Sequence, residues 1–389
     1  MKNEYVLKHK NIPVLTFYMD DETFKFQDLG DIFSCERLPY GIEEKANRIQ
    51  NGVHLNAWIH GRGLPDSRKD KKSIKELFKV DELKSLTIQA RGLNLTDQYW
   101  FHKTDEDLRW ENVNHFDNEF DTVKPGANII PGIDESVNKY SPNLCVDGSI
   151  EKRWIIRDGE RYLIKGSRYR RMQEPFNEKI ASSILDLFKI NHVHYDLKRT
   201  RENIPYSECK CMVNRDIEYM NAWWVMNNEI QGRKDLYTHF IDVCKKNNIR
   251  DVKERIDEML VFDFLTGNED RHRGNFGILR NAETLEWLGI APLFDNGNSL
   301  FFDQEDEDLK YCGIDSLGKA FGDNNRINLQ LTDYPLWYDK SNTSDIIDIV
   351  TNGLSKNEKL TSARIDKIAE ITKERVNIFE KGISNKIST

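Results

Sequence analysis

Between Asp263 and Asn275 the chain reads DFLTGNEDRHRGN, and twenty residues beyond Asn275 a further carboxylate, Asp295, stands in PLFDNG. Asp270 and Asn275 lie five positions apart in a polar stretch with apolar segments on either side. A carboxylate can orient an acceptor hydroxyl and take its proton. An amide oxygen and a second carboxylate suit Mg2+, a hard cation that prefers oxygen donors. Those three groups are the minimum set for moving a phosphoryl group from ATP, and their order matches kinase catalytic and metal-binding loops. Each has a plainer role open to it. Asp270 can cap or turn a loop, Asn275 beside Gly274 can do the same, and Asp295-Asn296-Gly297 is hairpin chemistry. Taken together and in this order, they favour phosphoryl transfer.

The same chemistry needs a lysine on a strand for the α- and β-phosphates and a helix glutamate to fix it. RWIIR (Arg153 to Arg157) and RYLIK (Arg161 to Lys165) are short β-like runs separated by a turn containing Asp158-Gly159. Lys165 ends the second run. Phe176, Ile180, Ala181, Ile184, Leu185 and Phe188 then recur at helical spacing, with Pro175 acceptable in the first turn. Glu178 sits early in that helix, and Glu174 is its rival one turn away. Cys209 to Val213 reads as another strand, 252–266 as a helix leading into the polar loop, and Ile365, Ile368, Ala369, Val376 and Phe379 as a final amphipathic helix. Upstream, Val14 to Met19 and Ala57 to His60 are strand-like, and 125–148 is a Pro- and Gly-containing connector. A β-rich lobe followed by a helical lobe is a bilobal plan. Asp295, just after Leu293 and Phe294, is expected at a strand end, with Asn296-Gly297 turning the backbone.

Length and charge set the frame. At 389 residues the chain can hold two or three packed units. Its 57 basic and 65 acidic residues argue against a large nucleic-acid-binding surface of its own. The six cysteines contain no C-x-x-C pair and read as reduced thiols. No run of about 18 apolar residues occurs and the start lacks an apolar leader core, so a cytoplasmic protein with no membrane association is expected. His192 and His194 with Cys209 and Cys211 lack zinc-ligand spacing and read as packing.

NEDRHRGN with PLFDNG resembles the catalytic and metal-binding motifs of HipA-like serine/threonine kinases, bacterial toxin kinases with a phosphoinositide-kinase-like catalytic fold. The likeness extends to GSIEK (148–152), similar to their nucleotide-covering loop, to Lys165 and to Asn177-Glu178, and so covers roughly 140–300. It implies an α+β, bilobal, protein-kinase-like fold. An accessory region at 1–125 would precede a mixed, β-rich N-lobe at 126–216 and a mainly helical C-lobe at 217–389. It implies Asp270 as catalytic base and His272 as a brace for its loop. Asn275 and Asp295 become the Mg2+ ligands, and Lys165 with Glu178 the ATP-binding pair. It also implies that Gly148 and Ser149 cover the nucleotide, with Ser149 the candidate for autophosphorylation, and that main-chain groups of Met212, Val213 and Asn214 receive the adenine.

The expected activity is ATP- and Mg2+-dependent phosphorylation of a protein serine or threonine. A phosphoinositide-type lipid or small-molecule kinase is the alternative acceptor class. Five acids in the six positions Asp303 to Asp308 tilt against it if they line the acceptor cleft. A non-catalytic corepressor that binds an antitoxin-like DNA-binding partner is the alternative of a different class.

Overall fold

The computed structural model describes residues 2–43, 47–63, 71–121, 131, 136–138, 140–145, 150–229, 231–309, 316–333 and 337–387. The chain is a mixed α+β protein that divides into two compact units. One comprises 1–164, 213–219 and 280–285; the other comprises 165–212, 220–279 and 286–389.

The first unit opens with strands β1 (Lys2–His9), β2 (Ile12–Asp20) and β3 (Phe26–Ile32). Helices α1 (Arg48–Gly61), α2 (Lys71–Phe78) and α3 (Lys84–Gln89) follow, then β4 (Tyr99–Lys103), α4 (Trp110–Val113), β5 (Lys152–Arg157) and β6 (Glu160–Lys165). β1 to β4 form an antiparallel sheet in the order β3-β2-β1-β4. Its core is aromatic: Phe17 and Phe101 meet edge to face at 5.4 Å, with Leu7, Leu15 and Trp100 fully buried. Ala57 to His60 is not a strand but the end of α1. Asn47 accepts from the Ile49 N–H to start that helix, and Asn51, Leu55, Trp58 and Ile59 are buried at helical spacing. A four-residue apolar run is too short to reveal that period. β5 and β6 are neighbours across the expected turn, where Asp158 and Gly159 have φ of 52° and 76°.

The late segments of this unit are held by a buried charge. Glu218 accepts from the His9 ring at 2.8 Å, the Gln98 N–H at 2.9 Å and the Arg280 Nε at 2.6 Å. One carboxylate thus joins three other stretches of sequence to its own and is satisfied by all three.

In the second unit, α5 (Glu174–Leu187), β7 (Tyr195–Arg199), β8 (Pro205–Lys210), α6 (Ala222–Asn227), α7 (Leu236–Lys246) and α8 (Val252–Thr266) come first, while β9 (Ile217–Asn221) belongs to the first unit up to Tyr219. β10 (Gly277–Asn281), β11 (Trp287–Ile290), α9 (Asn325–Gln330), α10 (Thr343–Ser355) and α11 (Ser362–Ile387) complete it. Three of the helices fall where apolar spacing places them. α5 carries Pro175 in its first turn, α8 spans 252–266, and α11 buries Ile365, Ile368, Val376 and Phe379. β8 ends at Lys210, short of the expected Val213, and pairs antiparallel with β7. A Cβ on Gly353 of α10 would lie 2.3 Å from the Ile180 side chain, so glycine lets α10 close on α5. Buried along almost its whole length, α8 stops at Gly267, whose φ of 65° is the left-handed C-cap that glycine takes at least cost. Among the described residues no helix is long and apolar enough to cross a membrane.

Burial in the first unit pushes the His115 imidazole down to about 3, and its Nε2 lies 2.8 Å from the Tyr140 carbonyl. The folded pKa is below the unfolded one, so this contribution is complete above the unfolded value and is lost as pH falls towards the folded one. Between pH 7.5 and 5.5 wild type should lose about 1 kcal/mol more than His115→Gln, which keeps a donor but does not titrate there. Urea melts at the two pH values measure the difference.

Candidate active site

α8 delivers the chain into the polar loop, and the loop's own side chains fold it. Asn268 accepts from the Asp270 N–H at 3.0 Å and donates to Asp263 at 2.9 Å. The His272 ring nitrogen Nδ1 accepts from the Gly274 N–H at 3.0 Å, and a Cβ on Gly274 would press against that ring at 2.8 Å. Asn275 donates its amide N–H to the Asp270 carbonyl at 3.0 Å. This commits the nitrogen end of the amide and leaves the oxygen, which is the end a hard cation takes. The Asp270 carboxylate accepts from Asn298 at 2.8 Å on Oδ2 and pairs with Lys319 at 2.5 Å on Oδ1.

Arg271, between Asp270 and His272, is only 1% exposed. It pairs with Asp263 of α8 at 3.0 Å and donates to the carbonyls of Asn275 at 3.0 Å and Phe294 at 2.5 Å, and to the Asn296 side chain. Burial opposes its charge, but Asp263, Asp295 and Glu178 together outweigh burial and the guanidinium pKa is raised. One side chain therefore ties α8, the Asp270–Asn275 loop and the Asp295 segment together.

A second charged cluster lies on that segment. Lys165, 2% exposed at the end of β6, pairs with Glu178 of α5 and with Asp295 at 2.5 Å. Burial alone would lower the ammonium pKa, yet Asp295 and Glu178 overcome it and the pKa is raised. Glu178 also accepts from the Asn296 N–H at 2.9 Å. The rival Glu174 accepts instead from Ser167 and from the Arg168 N–H, and burial raises its pKa. Asp295 is not in a strand. Leu293 makes a parallel bridge with His192, and two residues later Asp295 itself takes a positive φ of 58°. The left-handed backbone conformation thus falls on the carboxylate residue and not on Gly297. Its N–H donates to the Tyr195 hydroxyl at 3.3 Å.

Lys165, Glu178 and Asp295 are brought into contact, and Asp270, His272 and Asn275 share one loop bound to them through Arg271. Gly148 and Ser149 lie outside the described residues. Met212 closes a stretch of the second unit, while Val213 and Asn214 belong to the first. The Asn214 N–H donates to the Ile217 carbonyl at 3.3 Å and its own carbonyl accepts from Gln98 at 2.7 Å, so both main-chain groups are engaged. Asp186 brings a carboxylate near His192 and His194, but the His192 ring faces Ser182 at 3.0 Å and the Ile190 carbonyl at 2.8 Å, in keeping with packing. The acidic run is partly neutralised: Glu305 pairs with Arg171 at 2.5 Å and Asp306 with Arg364 at 2.7 Å. Arg271, Asn298, Tyr195 and Lys319 were not legible as site residues. Only Arg271 carried a signal, by standing inside the motif.

No family model matches the chain. It is 27% identical over 200 residues to the serine/threonine-protein kinase CtkA of Helicobacter pylori, a match covering 46% of this chain. The chain spans 58% of the length of that relative. The solved toxin–antitoxin complex of HipA, HipB and operator DNA from Shewanella oneidensis matches 97% of this chain and 97% of that one, with a TM-score of 0.53 at 12% identity. The fold is similar to that of HipA. A crystal structure of the Helicobacter pylori proinflammatory kinase CtkA covers 62% of this chain and 93% of that one, with a TM-score of 0.48 and 21% identity. The resemblance read from NEDRHRGN and PLFDNG therefore agrees with the sequence relative, and the α+β arrangement is that of a HipA-like fold.

Arg271→Met should destabilise the protein by about 3–5 kcal/mol, because it strands the Asp263 carboxylate in the interior. Adding Asp263→Asn should recover part of that loss, since the two positions act as one pair. Urea unfolding of both single variants and the double variant measures the coupling.

Proposed function

We propose that the chain is an ATP- and Mg2+-dependent serine/threonine protein kinase of the HipA-like type, transferring the γ-phosphoryl group to a protein hydroxyl, its own included. The observation that carries this reading is the Lys165–Glu178–Asp295 charge cluster, joined through Arg271 to the loop bearing Asp270 and Asn275. Lys165, fixed by Glu178, would hold the α- and β-phosphates. Asn275 and Asp295 would hold Mg2+, which would supply positive charge to offset that of the phosphates. Asp270 would orient the acceptor hydroxyl and take its proton, with His272 keeping the loop in shape. Main-chain groups of Met212 and Val213 would receive the adenine. In functional terms 1–125 would be accessory, 126–216 the N-lobe and 217–389 the helical C-lobe.

A protein acceptor is suggested by the resemblance and by the similarity to CtkA, a serine/threonine-protein kinase. The acidic run no longer supports it, because Glu305 and Asp306 are held by arginines. An antitoxin-like DNA-binding partner is a companion proposal, suggested by the HipB and operator DNA in the solved HipA complex. Co-purification from the native host of a small basic protein that shifts operator DNA in a salt-sensitive way would support it.

The decisive experiment incubates the purified chain with γ-labelled ATP, Mg2+ and casein, alone and with phosphatidylinositol vesicles. Wild type should label protein. Asp270→Ala and Asp295→Gly, the latter keeping the backbone conformation, should lower the rate by about 100-fold or more. Equal labelling by all three forms, or none by any, overturns the kinase reading. Label in lipid instead of protein reassigns the acceptor.

A further inference from the structure

The loop that follows the acidic run has a construction of its own. Leu317 and Asn324 form an antiparallel bridge, and the Gly318 N–H donates to the Asp323 carbonyl at 3.2 Å. A Cβ on Gly318 would lie 2.7 Å from the backbone of Asn324 and Asn325, so the turn closes this tightly only with glycine. Asn325, 2% exposed, fastens the loop to the polar loop after α8 by donating to the Asn268 carbonyl at 2.8 Å and to Ser316 at 3.0 Å. The loop projects Lys319, whose ammonium meets Asp270 Oδ1 at 2.5 Å, while Asn298 occupies Oδ2.

A half-exposed ion pair contributes at most about 1 kcal/mol to stability, so stability is a poor reason to build a clamped loop beneath one. The placement has a chemical consequence instead. Lys319 covers the carboxylate oxygen that an acceptor hydroxyl needs, and it is the cation in contact with that oxygen among the described residues.

We propose that Lys319 is a catalytic residue of this site, exchanging its contact with Asp270 for one with the phosphoryl group in transfer. This rests on the kinase reading. With ATP and acceptor in place, the ammonium moves to an equatorial oxygen of the γ-phosphoryl group, and Asp270 Oδ1 accepts the hydroxyl hydrogen bond in its stead. The acceptor oxygen then forms its bond to the γ-phosphorus. The bond from that phosphorus to the β–γ bridging oxygen breaks, its electron pair leaving on ADP, and the hydroxyl proton passes to Asp270. Lys319 stabilises charge spread over the transferring group, a contribution made mainly in the transition state and so felt in kcat. Asn325 and Gly318 act as positioning residues for it.

The test compares wild type with Lys319→Met and Lys319→Arg in the γ-labelled ATP assay with casein, with ATP varied to separate kcat from KM. Lys319→Met should lower kcat by about 100-fold with KM for ATP within about threefold, and Lys319→Arg should restore a substantial part. Thermal melts should match wild type, as a half-exposed position allows. Unchanged kcat in Lys319→Met would reduce the contact to a surface ion pair and overturn the proposal. So would a raised kcat, which marks an inhibitory clamp, or a loss wholly in KM, which marks ground-state binding. A wild type that labels nothing overturns the kinase reading itself, and the proposal falls with it. An active wild type with any of those three outcomes in Lys319→Met rejects Lys319 alone.

Discussion

A single guanidinium decides whether the site exists. Arg271 is buried, and a buried charge is tolerated only when paired and hydrogen-bonded in full. Asp263 supplies the counter-charge from the last turn of α8, and three acceptors from two other segments take the remaining N–H groups. None of these segments satisfies Arg271 alone. The desolvation cost makes their association close to all-or-none, so the polar loop and the Asp295 segment are held in register by the same requirement. Planarity matters as well: a lysine would carry the charge but lack the fork that reaches several acceptors at once.

The neighbouring cluster has a different logic. Lys165 is kept ionised against burial by two carboxylates, one fixed on α5 and one, Asp295, at a backbone position that few residues adopt. Aspartate and asparagine tolerate that conformation better than most side chains, so backbone geometry and charge select the same residue type. Glu178 spans both demands by pairing with Lys165 and accepting from the Asn296 N–H. The cluster is thereby preorganised, with its electrostatic field set before any ligand arrives.

Much of this was readable in the chain because it is local. The Asp158-Gly159 turn, α5, α8 and α11 follow from dihedral preference and 3.6-residue spacing, and Asp270, Asn275 and Asp295 were picked out by two short motifs. What escaped depends on partners distant in sequence. Ala57 to His60 looked extended because the helical period of α1 needs Asn51 and Leu55 to show. The special backbone at 295–297 was placed on Asn296-Gly297, where sequence preference puts it, whereas the left-handed residue is Asp295. Lys319 and Asn298 carry no local signature, since an exposed lysine and a loop asparagine are ordinary until Asp270 is beside them. The acidic run misled in the same way: its charges were visible, but Arg171 and Arg364, which hold them, were more than fifty residues away.

The end of α8 rests on the last helix. Arg375 of α11 donates to the Phe264 carbonyl at 2.9 Å, and a Cβ on Gly267 would meet its guanidinium at 3.4 Å. That bond spans 111 positions. At synthesis rates of about 5–20 residues per second, the polar loop leaves the ribosome on the order of ten seconds before its final brace is made. During that interval a nascent chain carries every residue of the Asp270–Asn275 motif yet lacks the support beneath it. Timing is thus written into the architecture, because the motif is made well before the helix that braces it.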